Sequence, residues 1–331
     1  MLASVQARVH ADLEATKNGQ EFGSTLPHHK SGSVFNKIGG TISHTFRFGD
    51  WGKKSSISHS SAEAAGHAAA PSPHAAATTA ATAHGAVSPV GHSASPSPVD
   101  PKAALQAKLE FLLGAILSQV DTVILFDDSG SMATDGIRHG VSRLREATDA
   151  VTQIVSIAVK FDQDGVDFYT LNTKEKFSFT PATDISFALA RVKAYGSTPI
   201  GARLNAIVTP YLESLPHHAP GTPPSKKPLN LIVITDGEAD DEDAVKKSIS
   251  TLVQGLVAKG YVPKEQAGIQ FLQVGNDKNA AAFLHRLDVA MKGDGDIVDH
   301  TAFDAKDPKP LTQVIQKVLL GSLVHEVDEL F

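Results

Sequence analysis

Two short apolar runs stop abruptly at carboxylates. Val123-Ile124-Leu125-Phe126 ends at Asp127, and Leu229-Asn230-Leu231-Ile232-Val233-Ile234-Thr235 ends at Asp236. Runs of this length, rich in β-branched residues and cut off by small polar ones, predict buried parallel strands over 121–126 and 229–235. GIQFLQV predicts a third strand over 268–274, and Ile297-Val298 a short one. GVDFYTLN (165–172) and EKFSFT (175–180) read as two strands joined through Asn172-Thr173-Lys174 in a hairpin. Helical spacing fills the intervals. Leu105, Leu109, Leu112, Leu113 and Ile116 mark a helix over 102–118, and Leu144, Ala147, Val151, Ile154, Val155 and Ala158 one over 141–160. Further helices are predicted at 184–194, 200–214, 242–259 and 278–291. A last amphipathic helix over 311–328 carries Leu311, Val314, Ile315, Val318, Leu319 and Leu323. Strands alternating with helices of this length imply a doubly wound α/β fold, a mostly parallel central sheet with helices on both faces.

The pattern holds only from about residue 103. Residues 1–102 predict a largely disordered tail, preceding a folded domain over 103–331 that includes the helix at 102–118. Within the tail, 55–100 is almost entirely Ala, Ser, His, Pro, Thr and Gly, with too few large apolar groups to offset the entropy of ordering. Residues 33–54 differ: Phe35, Ile38, Ile42, Phe46, Phe48 and Trp51 interleave with Lys37, Arg47, Lys53 and Lys54. Incidental aromatics in a disordered segment are the simpler reading; the sharper ones are a docking element and weak membrane-surface contact.

Charge and composition narrow the function. Residues 1–99 carry seven Lys and Arg against five Asp and Glu, while 100–331 carry 23 against 31. The acidic folded region argues against nonspecific nucleic-acid binding. Cys is absent, so neither a disulfide framework nor a thiolate metal site can form. No apolar run is long enough to span a bilayer, and the N-terminus lacks the apolar core of a signal peptide, so a cytoplasmic location is expected. Nine of the 15 His fall in residues 1–99 without fixed ligand spacing, which favours composition bias over zinc.

The chemistry concentrates in Asp121–Ser131, DTVILFDDSGS, where Asp127, Ser129 and Ser131 place a carboxylate and two hydroxyls at alternate positions after a buried strand. Hard oxygen ligands suit a Mg²⁺-type cation. Ligands of open α/β sheets bind beyond the carboxyl ends of the strands, where strand order reverses. The D-x-S-x-S pattern resembles the von Willebrand factor A (vWA) family. YGSTPIG supplies Thr198 and ITDG supplies Asp236 in the order that family uses. The resemblance extends over about residues 120–327 through FDQDGVDFYTLN, STPIGARL and GIQFLQVGNDKNAAAFLHRLD, and is to the stand-alone intracellular eukaryotic type. It implies a complete metal-ion-dependent adhesion site: Asp127, Ser129, Ser131, Thr198 and Asp236 around Mg²⁺, with Mn²⁺ or Ca²⁺ as alternatives. One coordination position would be left for an acidic side chain of a protein partner. Gly130 is expected to permit the tight turn.

Two other functions compete. One is an adaptor acting mainly through 33–54. The other is a Mg²⁺-dependent hydrolase or phosphotransferase, disfavoured because the second Asp that a haloacid-dehalogenase-type site needs is replaced by Ser129, and Asp128 points the other way along the chain. The sequence has no G-x-x-x-x-G-K-[ST] loop, general base or oxyanion donor pair, so no enzymatic activity is expected. The cluster Asp240, Asp241, Glu242 and Asp243 reads as capping and dipole complementation of the following helix, in preference to a second cation site. Asn276 and Asp277 read as a cap of the next.

Overall fold

The computed structural model describes residues 113–162, 164–173, 176–180, 185–293, 295–303 and 311–323. The expected tail 1–102, with its 33–54 segment, and most of the helix at 102–118 lie outside them; residues 113–117 are helical. Six strands form one sheet: β1 (Asp121–Phe126), β2 (Val166–Thr170), β3 (Lys176–Phe179), β4 (Leu229–Thr235), β5 (Ala267–Val274) and β6 (Val298–Phe303). Their spatial order is β3-β2-β1-β4-β5-β6. Only the β2–β3 hairpin is antiparallel. The chain leaves β1 toward one edge and returns at β4 to build the other, so the switch point lies between β1 and β4. Those are the two strands that end in carboxylates.

The helices that follow β1 among the described residues are α1 (Arg143–Ala158), α2 (Ile185–Leu189), α3 (Ile200–Ser214), α4 (Glu242–Ala258), α5 (Pro263–Gln266), α6 (Lys278–Met291) and α7 (Leu311–Leu320). Alternation along each strand divides the interior in two. Ile124, Phe126, Ile232 and Ile234 pack under α1 and α7, against Ala147, Val151, Ile154, Val318 and Leu319. Val123, Leu125, Leu231 and Val233 face α3, α4 and α6, against Ile200, Leu204, Ile249 and Phe283. β1 and β4 are buried on both faces, which is why they read as unbroken apolar runs.

Boundaries differ where local patterns are weak. The helix expected at 184–194 is a five-residue turn, α2, because the following chain extends so that Tyr195 N donates to Asp128 O at 2.8 Å. β6 runs six residues where two were expected. VDHTAF has no apolar periodicity, yet it pairs with β5 from Ile269↔Val298 to Val274↔Phe303. α1 starts at Arg143 because Ser142 caps it, its hydroxyl accepting from Arg145 N at 3.3 Å. The one-turn α5, with Pro263 opening it, had no sequence signal.

Helices α3 and α4 meet at Gly201, where a Cβ would lie 2.4 Å from Val245 N and 2.5 Å from Ala244 C, both backbone atoms. Gly→Ala inside an exposed helix ordinarily stabilises it by about 1 kcal/mol. At this crossing the sign is expected to reverse: Gly201→Ala should cost about 1–3 kcal/mol through overpacking. Urea denaturation should show a lower midpoint at unchanged slope; a midpoint at or above wild type would refute the close-approach account.

Candidate metal centre

Beyond Phe126 and Ile234 the two central strands run out together, and Asp127 N donates to Ile234 O at 2.8 Å. This last rung fixes Asp127 and Asp236 side by side at the switch point; Asp127 is 1% exposed and Asp236 is fully buried. Residues Gly130–Ala133 coil into a 3-10 turn. Asp127 Oδ1 accepts from Ser129 N at 2.8 Å, and Oδ2 from the buried Thr235 hydroxyl at 2.6 Å. The Ser129 and Ser131 hydroxyl oxygens are 3.0 Å apart, and Ser131 donates to Asp236 Oδ1 at 2.8 Å. Four of the five residues singled out in the sequence therefore converge through direct polar contacts.

Thr198 arrives on a separate loop, pinned to the 3-10 turn by Gly130 N donating to Gly196 O at 3.1 Å. Its backbone is clamped by Asp240: Thr198 N donates to Asp240 Oδ2 at 2.6 Å, and Asp240 N donates back to Thr198 O at 3.1 Å. Among the described residues its hydroxyl makes no hydrogen bond. Gly196 holds φ +79° against Asn172, where a Cβ would come within 2.5 Å of Asn172 Oδ1. The glycine demanded by this turn is thus Gly196. Gly130 has no positive φ, and a Cβ there would make an ordinary 3.5 Å contact with Gly196 O, so the expectation placed on Gly130 is not met.

Three carboxylates beside the site are engaged in holding backbone. Asp128, fully buried, accepts from Asn172 N at 2.7 Å and from Thr173 N and Oγ1 at 2.9 and 2.8 Å, which anchors the loop after β2. Asp241 heads α4 but does not cap it. Its carboxylate reaches across to Gly201 N and Ala202 N, each at 2.9 Å, and so caps α3, whose own cap residue Pro199 offers no side-chain hydrogen bond. The acidic cluster was expected to serve α4; Glu242 and Asp243 do lie in its first turn, but Asp240 and Asp241 serve the Thr198 loop and α3. The only local signal for this was the missing cap at Pro199. Asp277 caps α6 as expected, accepting from Asn279 N at 2.8 Å.

One further member had no sequence signal. Arg143, the first residue of α1, places Nη1 2.9 Å from Asp236 Oδ2. Elsewhere among the described residues, Asp288, Asp299 and His300 bring ligand atoms within 4.8 Å of one another on α6 and the edge strand β6, away from the switch point.

Burial is the main force on Asp127 and pushes its carboxyl up to about 6. Hydrogen bonds from Ser129 and Thr235 oppose that shift, and the Asp236 charge adds to it.

Residues 121–317, more than half of the chain, match the von Willebrand factor type A domain. Solved structures with a similar course of the chain include the PilB minor pilin from Streptococcus sanguinis, at 12% identity over 64% of this chain and 63% of that one, TM-score 0.42. The chain thus spans less than two thirds of the length of that pilin. The manganese-loaded Plasmodium vivax TRAP protein matches at 13% identity over 63% of this chain and 75% of that one, TM-score 0.40. The Deinococcus radiodurans RO (RSR) protein matches at 14% identity over 67% of this chain and 39% of that one, TM-score 0.36. No curated protein matches the chain.

The raised Asp127 carboxyl carries a defined pH signature. Between its unfolded value of 3.8 and about 6 the folded metal-free protein holds the extra proton, so Asp127 opposes folding above pH 6 and ceases to do so below pH 4. Metal-free Asp127→Asn is expected to be more stable than wild type at pH 8, by on the order of 2 kcal/mol, with the difference shrinking toward pH 4. Denaturant titrations of both proteins across this range check it. A difference independent of pH would contradict the assignment.

Proposed function

The chain belongs to the von Willebrand factor type A family, and we propose that it is a metal-dependent protein-interaction module that binds an acidic side chain of a protein partner. Domains of this family are generally non-enzymatic, metal-dependent interaction modules that commonly bind a divalent cation. In this reading Asp127, Ser129, Ser131, Thr198 and Asp236 hold a Mg²⁺-type cation, with Mn²⁺ or Ca²⁺ as alternatives. The binding unit is residues 103–331, carried behind a tail of 1–102.

The observation that carries the reading is the pair of buried carboxylates, Asp127 and Asp236, facing one serine hydroxyl pair. Arg143 compensates one of these charges through Asp236, but Asp127 pairs with no cation among the described residues, and burying its charge is costly unless a cation compensates it. The donor set fits: two carboxylates supply charge, and three neutral hydroxyls complete an all-oxygen set of the kind hard cations take. When bound, the cation supplies an open Lewis-acidic position able to take a carboxylate oxygen from outside. Asp127 and Asp236 provide the compensating charge, Ser129 and Ser131 the adjacent neutral donors, and Thr198 a hydroxyl not committed elsewhere among the described residues.

The hydrolase reading has no support at this site. The neighbouring carboxylate of Asp128 is taken up by Asn172 and Thr173, which leaves it no part in proton transfer. No helix among the described residues is long and apolar enough to cross a membrane.

Affinity capture with the intact chain in Mg²⁺ and in EDTA tests the reading, with Asp127→Ala and Thr198→Ala alongside. Thr198→Ala removes a hydroxyl with no internal partner among the described residues, so its fold should be retained; circular dichroism checks both variants. Proteins held in Mg²⁺ are expected to be lost in EDTA and with either variant. Identical capture in every lane would refute the cation-bridged mode and turn attention to residues 33–54.

A further inference from the structure

We propose that Arg143 is a fixed internal cation of this site: it weakens binding of a divalent cation that arrives alone and couples that binding to an anionic carboxylate ligand. The inference rests on the cation-site reading above and goes beyond it, to what makes the site respond to its ligand.

Arg143 is built into the site. Its backbone N donates to Thr134 O at 3.0 Å, which ties the start of α1 to the end of the 3-10 turn. Its side chain is only 17% exposed and meets Asp236 at 2.9 Å. The guanidinium stem runs past Gly275, a residue at φ +77° where a Cβ would come within 3.1 Å of Arg143 Nε. That Nε is buried with no hydrogen-bond partner among the described residues, so packing and the single ion pair hold the group in place. An exposed arginine would swing into water; this one is confined.

The two oxygens of Asp236 are divided. Oδ1 accepts from Ser131, on the side of the hydroxyl pair, and Oδ2 faces Arg143. Arginine therefore does not block the oxygen that faces the donor set, and both sides can be occupied at once. What Arg143 changes is the charge balance. Asp127 and Asp236 ionised, with Arg143, leave a single negative charge. A dication turns that into a single positive charge, and one incoming carboxylate brings it to neutrality. Without Arg143, the dication alone would neutralise the site and a carboxylate would then overcharge it. Residual charge in a poorly solvated site is expensive, so among these three groups Arg143 shifts the neutral assembly from the cation alone to the cation plus an anionic ligand. Asp128, Asp240 and Asp241, whose carboxylates hold backbone N–H groups of neighbouring segments, carry the same charge with and without Arg143 and so cancel from the comparison. Coupling of this kind is reciprocal: the ligand tightens the cation as much as the cation tightens the ligand.

The size of the effect follows from Coulomb's law. Even at the dielectric of bulk water, a unit charge and a dication within several ångströms of each other repel by an amount worth on the order of tenfold in Kd, and by more in a less polar setting.

The test is Mn²⁺ binding to the full chain, read from the free-ion signal in electron paramagnetic resonance. It is run in chloride and in acetate at equal ionic strength, with allowance for Mn²⁺–acetate association in solution. Wild type, Arg143→Met and Arg143→Lys are compared, with Arg143→Gln replacing the methionine variant if circular dichroism shows that variant unfolded. Wild type is expected to bind Mn²⁺ several-fold more tightly in acetate than in chloride. Arg143→Met should bind Mn²⁺ at least about tenfold more tightly than wild type in chloride and lose the acetate effect. Arg143→Lys, which keeps the charge without the planar fork, should behave as wild type. If wild type binds Mn²⁺ and Arg143→Met binds it no more tightly, the inference fails while the cation-site reading stands. If Arg143→Lys tracks Arg143→Met, hydrogen-bond geometry and not charge is responsible, and the inference also fails. If no folded protein of the set binds Mn²⁺, the cation-site reading fails and takes the inference with it.

Discussion

Two carboxylates buried beside each other at the ends of adjacent strands are the constraint on which the rest of this structure depends. Asp127 and Asp236 cannot move apart, because β1 and β4 are locked in register and sealed by the rung from Asp127 N to Ile234 O. They cannot reach solvent either. The compensation is the local Ser129 N–H and, from distant parts of the chain, the Thr235 hydroxyl on Asp127 and the Ser131 hydroxyl and Arg143 guanidinium on Asp236. Each contact lowers the cost of the buried charge, and the elevated Asp127 carboxyl shows that compensation is incomplete.

The walls of the site are built by the same device used three times. Asp128, Asp240 and Asp241 each turn a carboxylate onto backbone N–H groups of a different segment: the loop after β2, the Thr198 loop and the start of α3. Charge-assisted bonds to backbone are stronger than neutral ones and fix the chain they hold. The loop after β2 and the continuous stretch from Thr198 into α3 are each held by acids from other parts of the sequence, while the Thr198 hydroxyl is left uncommitted among the described residues. The close approach of α3 and α4 at Gly201 belongs to the same arrangement, because it brings Asp240 and Asp241 within reach of the loop they hold.

The division of the interior into two apolar layers keeps the polar site isolated. Side chains alternate to opposite faces along β1 and β4, so the packing that stabilises the domain lies above and below the sheet and the polar atoms lie at its end.

The sequence by itself determined the elements whose periodicity is strong: the doubly wound alternation, the two central strands, and the positions of Asp127 and Asp236 at their ends. Full burial writes an unbroken apolar run, and a strand's end is where that run stops. D-x-S-x-S was equally legible, since its members are neighbours in the chain. The edge strand β6 and the shortened α2 were not, because a strand half open to solvent needs no apolar pattern and a helix ends early when its neighbour is needed elsewhere. Only the tertiary structure decided which acid holds which loop and which glycine is required, Gly196 in place of Gly130. It alone brought Arg143 onto Asp236, across 93 residues of sequence. Local propensity acts over a few residues, whereas electrostatic contacts are set by which strand ends the topology makes adjacent; no periodicity in the chain encodes that adjacency.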